Sequence, residues 1–168
     1  MKELAKQIAS ECLRIEEDTE QSSKRHFNAA SRWSHYNYWI GIPSVLIAAI
    51  GSAVSFAALP AVGGMLAATT AALTAILTFL KPSERSTSHT TAGNQYLRLR
   101  NETRIFREVY LSQFDNKQEL IDKLASLAEQ RNNLNDSSPM TEDRDYRKAN
   151  AGILEGQTEY RADKDDNK

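Results

Sequence analysis

Histidine and cysteine side chains, which bind metals or act in catalysis at neutral pH, are few and scattered in this chain. His26 and His35 have no third candidate ligand beside them, so their spacing does not favour a metal site. His89 follows a run of Ser and Thr residues that begins at Ser86, but a catalytic triad also needs an orienting carboxylate and a pocket. Cys12 is the single cysteine, so it has no partner for an internal disulfide, and we expect it to be packed.

Sequence motifs of enzymes are also missing. The chain contains no GxSxG, no HExxH, no CxxC and no glycine-rich phosphate-binding loop. The net charge of −1 and the absence of an aromatic-rich RNA motif argue against a nucleic-acid-binding protein. We therefore expect no catalytic residue, no cofactor, no metal and no direct nucleic-acid partner.

The remaining sequence is arranged around one apolar stretch, Trp39–Leu80, which contains no Asp, Glu, Lys, Arg or His. One helical crossing of a bilayer needs about 20 apolar residues, so this stretch supplies roughly two crossings. Pro60, Gly63 and Gly64 lie between its two halves and predict a tight turn. The alternative is a soluble, buried helix pair, but the polar flanks are too short to wrap two helices that are apolar on all sides.

The sequence thus predicts an all-α fold: a two-transmembrane helical hairpin with long cytoplasmic amphipathic or coiled-coil helices on both sides of it. The predicted segments are an N-terminal cytoplasmic amphipathic helix over 1–38, a first transmembrane helix over 39–59, a turn over 60–64, a second transmembrane helix over 65–80, cytoplasmic helices over 81–133, and a linker, short helix and charged tail over 134–168. Helix patterning predicts a break near 114–116 and a linker over 132–138.

Charge and aromatic residues predict the orientation in the membrane. Basic residues precede the first crossing and follow the second, whereas the connecting turn carries no charge. By the positive-inside rule, both termini of this multi-pass protein are expected in the cytoplasm and the turn on the other side of the membrane. The first 21 residues are strongly charged, so we expect no cleavable signal peptide. Trp and Tyr residues just before the first crossing are typical of the headgroup level.

Small residues recur at helical spacing in both crossings and predict close helix packing in lipid. The helix-packing candidates are Ala48, Gly51, Ser52, Ser55, Gly63, Ala67, Ala71 and Ala75. The second crossing also contains a separate row of threonines at four-residue spacing, Thr70, Thr74 and Thr78. These rows either only join the two helices of one hairpin, or also contact other subunits or water, in which case the threonine hydroxyls are pore-lining candidates.

The cytoplasmic helices are expected to pack as an antiparallel coiled coil. A heptad-like seam comprises Ala92, Tyr96, Leu99, Thr103, Phe106 and Tyr110. Because Trp39 and Leu80 mark one membrane face, facing residues are expected to have numbers that sum to roughly 120. That register predicts the ion pairs Glu16–Arg104 and Glu20–Arg100, which set alignment rather than stability.

Two prolines lie at similar depth in the predicted hairpin, near its cytoplasmic face. Pro43 and Pro82 either mark the membrane boundary or act as hinges that couple the cytoplasmic helices to the membrane helices.

Several short motifs occur in an order that resembles the SLATT family, the SMODS- and SLOG-associating two-transmembrane effector domains of bacterial conflict systems. They are Trp39-Ile40-Gly41-Ile42-Pro43-Ser44 and Gly51 in the first crossing, Phe79-Leu80-Lys81-Pro82 at the end of the second, Arg85, His89, Ala92, Tyr96 and Leu99 in the next helix, and Pro139, Asp145-Tyr146, Ala149, Ile153 and Gly156 towards the end of the chain. The resemblance covers most of the chain, and the order and spacing of the motifs carry it.

The resemblance implies an antiviral effector that oligomerises and forms a pore or disrupts the membrane when activated. It implies a nucleotide signal or a nucleotidyltransferase, SLOG or reverse-transcriptase partner as the trigger. The alternative is a non-conducting membrane anchor or scaffold that recruits a cytoplasmic partner through its helical stalk.

Overall fold

The computed structural model of the protein describes residues 2–57, 59–114 and 116–158. Every regular element in these ranges is helical, which confirms the predicted all-α class. The elements are α1 (Lys2–Phe56), α2 (Pro60–Leu80), α3 (Pro82–Ile105), a π-helical turn (Phe106–Tyr110), a 3₁₀ turn (Leu111–Gln113), α4 (Lys117–Ser137) and α5 (Asp143–Leu154). The chain divides into two compact units: a central unit, Ala30–Thr87, and a terminal unit, Met1–Ala29 with Ser88–Lys168.

Helix α1 is longer than predicted. The expected boundary between residues 38 and 39 is not a helix boundary, because α1 continues unbroken from Lys2 to Phe56. Pro43 lies inside the helix. A proline in a helix interior removes one backbone hydrogen bond and introduces a local clash, yet α1 continues past Pro43 to Phe56.

The connection between α1 and α2 lies earlier than the predicted turn over 60–64. Helix α2 already begins at Pro60, so Gly63 and Gly64 are helical and do not form the turn. Proline is favourable in the first turn of a helix, where its missing N–H has no intrahelical acceptor to lose. The turn therefore lies immediately before the proline.

A single residue separates α2 from α3. Lys81 adopts a left-handed backbone conformation with φ of 46° and donates its N–H to the Leu77 carbonyl, which caps α2. Helix α3 then begins at Pro82 rather than near Ser86, again because proline suits the first helical turn. The predicted interruption exists, but it is shorter than expected.

The terminal unit has its own hydrophobic core, which α1, α3 and α4 build together. Ile15 and Phe106, which the predicted register brings close, belong to the same cluster. The other buried members are Ile8, Cys12, Leu99, Leu120 and Leu127. The predicted seam of α3 is buried as far as Phe106, whereas Tyr110 is half exposed. The π-helical turn explains this difference, since its wider turn rotates the following side chains out of the α-helical register.

The last two helices differ from the predicted boundaries. The break near Asn116 is present, and the Asn116 side chain caps α4 by accepting from the Gln118 N–H. Helix α4 continues to Ser137 through the predicted linker, because this polar segment contains no glycine or proline before Pro139. Helix α5 begins at Asp143 with a capping box between Glu142 and Asp145. The predicted charged tail over 160–168 lies outside the described residues.

Candidate functional site

Glycines bring α1 and α2 into close contact within the central unit. A Cβ atom built on Gly63 would overlap with Ser55 Oγ and would lie 3.2 Å from the Gly51 carbonyl oxygen. One built on Gly51 would lie 3.0 Å from Leu66 Cβ. Close backbone approach of this kind is typical of helix pairs packed in lipid. Gly51, Gly63 and Ser55, three of the helix-packing candidates, therefore lie where α1 and α2 approach each other.

The alanine row of α2 lies beside this contact rather than in it. Ala67, Ala71 and Ala75 are exposed in the single chain. A shallow groove of about 340 Å³ runs between Ala48 and Ser52 on α1 and Ala67 and Ala71 on α2. The central unit therefore presents a small-residue groove to its surroundings after its two helices have packed.

The three predicted pore-lining threonines occupy different environments. The Thr74 hydroxyl lies 3.4 Å from that of Ser44 on α1, a buried residue. Thr78 is exposed and donates to the Thr74 carbonyl. The Thr70 hydroxyl oxygen is buried and has no hydrogen-bond partner among the described residues. The Thr74 hydroxyl thus lies near α1, the Thr70 hydroxyl is buried, and the Thr78 hydroxyl is bonded to its own helix.

The central unit leaves most of its apolar surface uncovered. The most apolar 18-residue windows of the two candidate membrane spans are only 11% and 6% buried. Phe56, Phe79 and Trp39 are 92%, 86% and 76% exposed. In a water-soluble protein, helices this apolar are usually buried in a core. Both helices are long and apolar enough to cross a membrane.

Basic and aromatic side chains meet at the other end of the central unit. The guanidinium carbons of Arg32 and Arg85 lie 5.3 and 4.8 Å from the centroid of the Trp33 ring. The Ser86 hydroxyl donates to the Ala30 carbonyl, which ties the start of α3 to α1. The two hinge candidates are placed differently: Pro43 lies within α1, and Pro82 is buried at the first turn of α3.

Ion pairs connect α1 with α3 in the terminal unit. Arg100 Nη2 lies 3.4 Å from Glu20 Oε1, so the structure brings this predicted pair together. Glu16, which was predicted to pair with Arg104, accepts two hydrogen bonds from Arg107 at 2.7 and 3.1 Å. Arg104 reaches Glu108 at 3.4 Å. Arg107 lies in the π-helical turn, whose altered register turns its side chain towards Glu16.

This two-point contact also shifts nearby ionisation. The hydrogen bonds that Arg107 donates to Glu16 raise the pKa of Arg107 against the opposing effect of burial. Burial, with the Glu16 charge nearby, raises the pKa of the Cys12 thiol to about 11. Cys12 is fully buried, as expected, and at neutral pH its thiol is protonated and unreactive.

A buried histidine pair is the feature that the sequence patterns did not indicate. His26 of α1 and His89 of α3 lie with their Nδ1 atoms 3.0 Å apart. His26 had been considered with His35, which is exposed and contacts its own helix at the Ser31 carbonyl. The predicted antiparallel register could have indicated this pair, because it places His26 opposite position 94, little more than one helical turn from His89. No group of three metal-binding side chains occurs among the described residues.

The chain matches no family model, no curated protein and no solved structure. The resemblance to the SLATT family therefore rests on the motifs alone.

Proposed function

We propose that the chain is a membrane-spanning subunit whose copies assemble in the inner membrane and open a path through it, or disrupt it, as an effector in a bacterial conflict or antiviral system. The exposed apolar surface of the two candidate membrane spans carries this proposal. Lipid is the surrounding that such helices fit when the rest of the chain does not cover them. The proposed topology is a hairpin with both termini in the cytoplasm.

Assembly of several copies follows from geometry. Two helices cannot enclose a water-filled path, so a conducting form needs crossings from several subunits. The small-residue groove beside Ala67 and Ala71 supports such assembly, because it leaves space for another helix at close range. Thr78, with Thr70 and Thr74 after a rearrangement of the α1–α2 contact, remains the proposed pore lining.

The proposed trigger comes from the resemblance to the SLATT family. A nucleotide signal, or a nucleotidyltransferase, SLOG or reverse-transcriptase partner, would act on the terminal unit. Pro43 and Pro82 remain the proposed hinges, because each lies in the backbone of the central unit at a helix interior or a helix start.

The second candidate function is a membrane anchor or scaffold. It is favoured by the exposed apolar side chains of the terminal unit, among which Met140 and Leu154 are 94% and 81% exposed. Apolar side chains at such positions suit the docking of a cytoplasmic partner. A scaffold of this kind would leave the bilayer sealed.

Dye leakage from vesicles separates the two functions. Purified full-length protein is reconstituted into vesicles that contain a self-quenched dye, and we expect leakage that rises more steeply than in proportion to the protein-to-lipid ratio. Replacing Thr70, Thr74 and Thr78 together by valine should reduce leakage at least about 10-fold, because the hydroxyls that solvate the path are lost. Thr69→Val is the matched control, since the Thr69 hydroxyl bonds the Met65 carbonyl on the same helix.

Sealed vesicles at every protein density, with and without candidate nucleotides, would contradict the pore and favour the scaffold. Leakage that survives the triple substitution would contradict only the threonine lining.

A further inference from the structure

The terminal unit holds two histidines in a nearly water-free contact. His26 and His89 are 5% and 4% exposed. Their Nδ1 atoms lie 3.0 Å apart, and this contact joins α1 to α3. For this to be a hydrogen bond, one ring must carry a proton on Nδ1 and the other must offer a lone pair there.

Residues from α1, α3, α4 and α5 surround the histidine pair. The Tyr96 ring of α3 stacks on His26 with centroids 5.4 Å apart, and its hydroxyl donates to Asn135 of α4 at 2.8 Å. From α5, the Asp145 side chain is buried, and its backbone carbonyl accepts from Asn28 of α1. The charged and titratable groups that face His26 are thus Arg25 on its own helix, His89 and Tyr96 on α3, and Asp145 on α5, whereas α4 contributes the neutral Asn135.

Protons change this contact in two steps. A first proton leaves one donor and one acceptor between the Nδ1 atoms, but it places a charge in a buried site beside Arg25. A second proton removes the remaining acceptor, so that two N–H groups and two positive charges face each other at 3.0 Å. Each step costs free energy that the separated, hydrated histidines do not pay.

The pKa of His26 is lowered, as these costs of protonation lead one to expect. Burial, the charge of His89 and that of Arg25 lower its pKa from 6.5 to about 4, against the opposing effect of Asp145. The opened state binds protons with an ordinary histidine pKa, so it takes up protons first as the pH falls. Packing stability linked to His26 is therefore complete above pH 6.5 and is lost between pH 6.5 and 4.

We propose that the His26–His89 pair is a proton-sensitive latch, which holds α1 against α3 in the terminal unit at neutral pH and releases it on acidification. The latch concerns packing inside the terminal unit, so it goes beyond the proposed membrane function and does not depend on it. A drop in local pH near the terminal unit would then loosen the same helices on which a partner is expected to act.

Thiol accessibility tests the latch in the full-length chain. A Ser22→Cys substitution places a buried thiol one helical turn from His26. Its reaction with 4,4′-dithiodipyridine, which works in mild acid, is followed by peptide mass spectrometry and corrected with the rate of the unfolded chain at each pH. Between pH 7.5 and 5 we expect the opening constant to rise roughly 30-fold, the value that the His26 pKa difference gives.

The His26→Asn/His89→Asn double variant keeps amide donors and acceptors near the Nδ1 positions but does not titrate, so its rise should be under about 3-fold. His35→Asn, on the same helix but exposed, is the matched control and should behave like the parent. An equal rise in the double variant, or no rise in the parent, would overturn the latch.

If the double variant is already open at pH 7.5, ¹⁵N NMR of histidine-labelled parent protein decides the matter. His26 should remain neutral at pH 5.5 in molecules whose thiol at position 22 is protected from the reagent. A cationic His26 in the closed, protected chain would refute the proposal.

Discussion

Glu16 and Arg107 form a two-point ion pair between α1 and the π-helical turn. Their side chains are only 11% and 22% exposed, and the two hydrogen bonds measure 2.7 and 3.1 Å. Ion pairs with this geometry stabilise more than exposed ones, because both charges are partly shielded from water and the guanidinium is held in one orientation. The pair therefore contributes to the packing of the terminal unit as well as to its alignment.

A double-mutant cycle measures this contribution. We expect the coupling between Glu16→Gln and Arg107→Met to be about 1.5–3 kcal/mol in the free energy of unfolding of the terminal unit, as for hydrogen bonds between charged groups. Chemical denaturation of the full-length chain in detergent, followed by circular dichroism, gives the four values.

Glu11 and Arg14 provide the matched exposed pair on α1, with side chains 47% and 68% exposed. Their coupling should be about 0.2–1 kcal/mol. Equal coupling in the two cycles would show that burial adds nothing to the Glu16–Arg107 contact.

Helices α1 and α2 touch where side chains are smallest. The closest approach is at Gly63, next to Ser55 and the Gly51 carbonyl. Packing at this distance gains dispersion energy along both backbones, which is the main attraction available to apolar helices in lipid. One added methyl group is enough to disturb it.

Gly63→Ala should destabilise the central unit, because the new Cβ would lie 3.1 Å from Ser55 Cβ and 3.2 Å from the Gly51 carbonyl even after the Ser55 hydroxyl has rotated away. We expect a loss of about 1–3 kcal/mol, as for overpacking in a protein core. Thermal unfolding in a fixed detergent, or resistance of the hairpin to forced separation, provides the measurement.

Gly64 is the adjacent control, since a Cβ there meets nothing within 4 Å. Gly64→Ala should leave the stability unchanged or raise it slightly, because alanine favours the helix. A Gly63→Ala variant as stable as Gly64→Ala would contradict the close contact.

At the scale of the whole molecule, the two units differ in the polarity of their surfaces. The central unit exposes apolar side chains along both candidate spans, whereas the terminal unit buries a core and carries ion pairs such as Glu20–Arg100 and Glu102–Lys123. The proposed topology requires this division, because it places lipid around one part of the chain and water around the other.

Cysteine labelling in intact cells tests the proposed orientation. Leu59→Cys, an exposed position between α1 and α2, should react with a membrane-impermeant maleimide from outside. Gln95→Cys, exposed on α3, should react only after the inner membrane is permeabilised. The parent chain is the blank, because Cys12 is buried and its thiol pKa is raised to about 11. Labelling of position 95 in intact cells would show that the orientation is the opposite of the proposed one.

The sequence alone determined the helical class, the apolar stretch and the antiparallel register. These follow from composition and periodicity, which are local properties: two long apolar runs need helices, and the chain that connects them sets which residues face each other. Ser44 and Thr74, with numbers summing to 118, and Glu20 and Arg100, with numbers summing to 120, lie close to the predicted register.

Tertiary structure alone decided the details that depend on packing. The π-helical turn brought Arg107 rather than Arg104 to Glu16 in the two-point pair, since one residue of helical widening changes the facing side chain. His26 of α1 contacts His89 of α3. This contact depends on how the two helices pack, which residue spacing within one helix does not show.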